Sequence, residues 1–82
     1  MRILDQDKDS KVDQVTIFLQ LEEAKQLRDS LNELISNPSI HHSHISSEDY
    51  QKEITVCIYN ETDTKLMQQF DKRSLKLIEK DV

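Results

Sequence analysis

From Gln14 the chain alternates: Val15, Ile17 and Leu19 point one way, Thr16, Phe18 and Gln20 the other. A period of two with β-branched residues predicts a strand over 14–20. At Leu21 the period lengthens. Leu21, Ala24, Leu27, Leu31, Leu34 and Ile35 recur at spacings of three and four, the pattern of one apolar stripe on a helix. Glu22 and Glu23 sit in its first turn, where negative charge complements the helix dipole. Ser36-Asn37-Pro38 ends it, because asparagine tolerates the left-handed closing conformation and proline cannot continue a helix.

Two more strands are expected, Ile40–Ser46 and Glu53–Asn60, joined through the polar stretch Ser47-Glu48-Asp49-Tyr50-Gln51-Lys52 as a hairpin. In the second, Ile54, Val56 and Ile58 share one face and Thr55, Cys57 and Tyr59 the other. The last twenty residues read as helix. Leu66, Met67, Phe70, Ser74, Leu77 and Ile78 fit one stripe from about residue 63. Asp71, however, is placed as an N-cap, with Phe70 and Leu75 as a hydrophobic staple. The favoured reading is a short turn of helix followed by a longer helix from 72 to about 80.

Before Gln14, a short strand at Arg2–Leu4 leads into residues 5–13, which alternate in charge and carry no apolar face; 1–13 is read as a flexible or weakly structured arm. Residues 14–82 form one α+β domain in the order β-α-β-β-α, a small three-stranded sheet with helices packed on one face. Leu, Ile, Val and Phe supply 23 of the 82 residues, enough for a core but a thin one. A domain this small keeps only about 3–5 kcal/mol of stability from its core, which favours docking on a partner or on a second copy. With few strands both sheet edges are open to such pairing.

Composition removes several classes of function. No glycine is present, so Gly-rich phosphate cradles, dinucleotide fingerprints and nucleophile elbows cannot be built. The net charge of −5 opposes nucleic-acid binding, which needs a basic face. Residues 14–60 carry seven acids against three bases, so the acidic surface belongs to the middle of the chain. One cysteine rules out an internal disulfide framework. No apolar run is long enough for a signal peptide or a bilayer span, which gives the expectation of a cytoplasmic protein without membrane contact.

Three candidate sites remain. His41-His42-Ser43-His44 on a strand sets His42 and His44 on one face and His41 on the other. Two imidazoles on one face can ligate a divalent metal with a nearby acid completing the shell, or serve as a pH sensor, or simply be half-exposed residues of a polar sheet face. Cys57 beside a histidine suggests a thiol nucleophile, but mid-strand between Val56 and Ile58 a small buried hydrophobe is the expected role. Tyr50 in the loop with Glu48 and Asp49 is an aromatic on a polar tip, which either anchors an interface or folds back over the sheet edge.

No motif carries a family resemblance. The function expected from the sequence is an acidic protein-interaction or regulatory module that binds an unknown partner or itself, a homodimer being one form. It has no catalytic activity and no cofactor. The alternative is a small metal-binding protein using His42 and His44.

Overall fold

The computed structural model describes all 82 residues as an α+β fold of three α-helices and two separate two-stranded antiparallel sheets. The elements are β1 (Leu4–Asp5), β2 (Ser10–Lys11), α1 (Leu21–Ser36), β3 (His42–Ser46), β4 (Glu53–Cys57), α2 (Thr64–Met67) and α3 (Lys72–Lys80). A 3-10 turn over Pro38–Ile40 joins α1 to β3.

α1 keeps the bounds its stripe implies. The Gln20 N–H donates to the Glu23 carboxylate at 2.9 Å, so an acid in the first turn satisfies an otherwise unpaired donor. At the far end the Asn37 N–H closes on the Glu33 carbonyl, but Asn37 sits at φ −141°; the left-handed residue is His41, at φ 55°, after the 3-10 turn. β3 and β4 form the expected hairpin, in the register Ile45 opposite Ile54, His44 opposite Thr55 and His42 opposite Cys57. The C-terminal stripe divides at Phe70. Asp63 caps α2 through the Leu66 N–H and Asp71 caps α3 through the Ser74 N–H, at 3.1 and 2.8 Å.

Residues 1–13 form a minimal hairpin, Leu4 opposite Lys11 and Asp5 opposite Ser10. The Asp5 carboxylate accepts from the N–H groups of Asp7 and Lys8 inside its turn. Arg2 fastens this hairpin to α3: its Nε–H donates to the carbonyls of Leu77 and Ile78 at 3.0 and 3.2 Å. Those carbonyls belong to the last turn of α3, where a cation is favoured.

The main correction concerns 14–20. This segment is not a strand, and no three-stranded sheet forms. No backbone N–H or C=O from Gln14 to Leu19 is hydrogen-bonded within the chain. The β-pattern is present without a partner strand to pair with. The α1 stripe is also only partly covered. α1 packs on β3 through the face bearing Leu34, which is fully buried, with Leu27 half-buried beside it. Leu21, Leu31 and Ile35 remain 73, 39 and 69 % exposed. They lie roughly 60–140° round the helix from Leu34, beyond the width of the hairpin it rests on.

Only Leu34, Ile45, Leu66, Leu77 and Ile78 are buried. Leu34→Ala should therefore cost about 2–5 kcal/mol, as much as the whole expected stability of so small a domain. Urea titration followed by circular dichroism should find this variant largely unfolded. Ile35→Ala, one residue on but exposed, should shift the midpoint by less than about 0.5 kcal/mol. Similar losses for both would contradict the burial described.

Candidate functional site

Two regions bring chemistry-bearing side chains together, and both belong to the β3–β4 hairpin. The strands alternate, so Ser43, Ile45, Ile54 and Val56 share one face while His42, His44, Ser46, Glu53, Thr55 and Cys57 share the other. The first face carries the buried Ile45; the second is polar.

On the polar face the His44 ring is fixed through Nδ1, 2.8 Å from both the Glu53 carboxylate and the Thr55 hydroxyl. A carboxylate only accepts, so Nδ1 carries the proton and in the neutral ring Nε2 holds the free lone pair. The His42 ring meets His44 edge-on, with centroids 5.1 Å apart. The two histidines thus share a face and lie close together. His41, expected on the opposite face, instead turns back in the left-handed conformation, its ring 4.3 Å from His42 and edge-on to Phe70 at 5.3 Å. Burial, and then the neighbouring His42, push the His41 pKa below its ordinary value. No three His, Cys, Asp or Glu side chains converge so as to hold a metal ion.

Cys57 departs from expectation. It ends β4 opposite His42 and is exposed, because the polar face has no layer over it. Partial desolvation still pushes its thiol pKa up, the opposite of what activates a nucleophile. Cys57 makes no hydrogen bond to His42 and has no cationic side chain paired to it.

The second region is the hairpin tip, Ser47–Lys52. Ser47 closes it: its N–H donates to the Lys52 carbonyl at 2.9 Å and its Oγ accepts from the Lys52 N–H at 3.0 Å. The Asp49 carboxylate accepts from the Ser47 hydroxyl at 2.7 Å and the Gln51 N–H at 3.0 Å. The serine hydroxyl, then the backbone N–H, hold Asp49 below the usual carboxylate range. The Tyr50 N–H bonds to the Ser47 carbonyl at 2.9 Å. This network displays Tyr50, 85 % exposed and at φ 59°. A left-handed aromatic is strained, since Cβ crowds the neighbouring carbonyl, and such strain persists only where surrounding bonds impose it. Glu48 and Asp49 stand beside it and, with Gln20, Glu23 and Ser47, line a shallow, wholly polar depression between the loop and the start of α1. The sequence signalled Tyr50, Glu48 and Asp49 by composition; it gave no sign that Glu23, about 25 residues earlier, would join them.

Comparison with known protein families, with characterised proteins and with solved structures finds no match for this chain.

The His41 shift makes a pH prediction. Above about pH 6.5 residue 41 is neutral in both the folded and unfolded chain and contributes nothing to the pH dependence. As pH falls through that unfolded value, the unfolded chain takes up a proton that the folded chain resists, and stability drops until the lower folded pKa is passed. His41→Asn keeps a residue that tolerates φ 55° and removes the titration. Urea midpoints from pH 8 to 5 should fall less steeply for this variant than for the parent. Superimposable profiles would contradict the assignment.

Proposed function

We propose that this chain is a small acidic interaction or regulatory module that acts by binding another protein and carries no catalytic activity of its own. One observation carries this reading: an almost fully exposed tyrosine is held in a strained left-handed conformation by a closed hydrogen-bond network at a hairpin tip. A rigid aromatic loses little conformational freedom on binding, and tyrosine is among the residues that dominate interface energetics. The strain has no structural purpose, since glycine or asparagine would close the same loop more easily.

Glu48, Asp49 and Glu23 set the chemistry of the partner. Glu48 and Asp49 precede the tyrosine in the loop and Glu23 lines the depression beside those two acids, and this negative charge favours a basic surface containing a pocket for an aromatic ring. Catalysis finds no such support. The thiol of Cys57 is raised rather than activated. Asp71 and Asp63 are occupied as helix caps, and Asp49 as the brace of its loop. No helix is long and apolar enough to cross a membrane, in keeping with an aqueous partner.

Tyr50→Gly separates the two roles of this residue. Relief of the left-handed strain, offset by glycine's extra freedom in the unfolded chain, should raise stability by about 0.5–1 kcal/mol. Partner capture from a lysate of the native cell should fall for the same variant. The parent should retain a stoichiometric partner that is released as salt rises, because exposed charge pairs are screened. A partner held equally by both proteins, or a variant that loses stability, would overturn the reading.

A further inference from the structure

We propose that this protein is a homodimer in which residues 14–20 of two copies pair antiparallel about a two-fold axis at Ile17. The proposal rests on the interaction-module reading and names one partner for it, a second copy of this chain, through a segment whose last residue, Gln20, borders the polar depression beside the Tyr50 loop.

The segment is built as a strand and left without a partner. Val15, Ile17 and Phe18 are 55, 49 and 91 % exposed, although their alternation is the pattern of a sheet element. None of the backbone groups from Gln14 to Leu19 is hydrogen-bonded within the chain, so both edges offer free donors and acceptors. Strand addition satisfies them directly.

Three features select a second copy as the occupant. The first is charge. Gln14 to Leu21 contains no ionisable side chain in a chain of net charge −5. Two copies of an acidic chain repel each other, so self-association requires a neutral contact. The second is register. A two-fold axis perpendicular to a sheet places residues of equal parity opposite one another. Centred on Ile17, it sets Ile17 against Ile17, Val15 against Leu19, Thr16 against Phe18 and Gln14 against Gln20. One face of the ribbon is then entirely aliphatic, and the two phenylalanines are diagonal neighbours on the other, within reach of each other. Centring on Thr16 would put Asp13 against Leu19; centring on Phe18 would run the pairing into the first residue of α1. The third is area. At full residue surfaces of about 160–210 Å², Val15, Ile17, Phe18 and Leu21 leave roughly 500 Å² uncovered per copy, about 1,000 Å² over two copies, the lower bound for a specific interface.

The test is sedimentation equilibrium of the whole chain from 1 to 200 µM (about the range over which such interfaces dissociate), on the parent and on Ile17→Lys. Lysine at a half-exposed position with unbonded backbone leaves the fold intact, as circular dichroism checks, but sets two charges face to face. The parent should be a dimer, and the variant should dissociate with a constant raised about 100-fold or more, the worth of two lost apolar contacts. In a Cys57→Ser background, Ile17→Cys should close a disulfide between copies on mild oxidation, since directly opposite residues meet the required spacing. Phe18→Cys, opposite Thr16, should not. A monomeric parent, a dimer indifferent to Ile17→Lys, or equal cross-linking at 17 and 18 would each overturn the proposal. A monomer that still captures a partner through Tyr50 would sink the dimer alone; a dimer that captures nothing would sink the Tyr50 reading alone.

Discussion

The packing of α1 on β3, with Leu34 at its centre, is the contact on which the rest of the molecule depends. It joins the one long helix to the hairpin, and through the hairpin it fixes where every polar residue of interest sits. Because Ile45 faces inward, His42 and His44 must face outward, and the two ends of the hairpin fall beside Phe70 on one side and the start of α1 on the other. A helix can press only one narrow face onto a two-stranded ribbon. The flank bearing Leu21, Leu31 and Ile35 and the whole of 14–20 consequently lie outside the core. The fold's smallness and its uncovered apolar surface have one cause.

The lack of glycine is the second constraint. Four residues take positive φ, and all carry side chains: Asp9, His41, Tyr50 and Asp81. Aspartate is a common choice at such positions, and histidine is tolerated. Asp9 also meets Arg73 at 2.8 Å, while Asp81 closes α3 with its N–H on the Leu77 carbonyl. Tyr50 has no local reason of this kind. Its ring neither packs on the sheet nor bonds to the chain, and this sets the hairpin tip apart from the other turns.

Most local structure was legible in the sequence because its determinants are local. The α1 stripe and the acids in its first turn, the hairpin with its loop at 47–52, and the division of the C-terminal helix at Asp71 each depend on neighbours a few residues away. The sequence was misleading where tertiary partners decide. Residues 14–20 have the composition of a strand, yet pairing needs a second strand, and both edges of β3–β4 go without this one. Cys57 has the neighbours of a core residue, but its face of the hairpin has no covering layer. His41 was placed by strand alternation, which a left-handed residue just before β3 interrupts. For the candidate site, Glu48, Asp49 and Tyr50 were visible as an aromatic among acids; the hydrogen bonds that lock the loop and the approach of Glu23 were not.

The uncovered flank of α1 and the unpaired segment 14–20 lie next to each other in sequence, and the proposed second copy completes that segment. Amide hydrogen exchange across residues 14–20, measured at low and at high protein concentration, tests it most directly. Exchange should be fast in dilute solution, with protection that grows with concentration, confined to this segment and absent in the Ile17→Lys variant. Fast exchange at every concentration would contradict it.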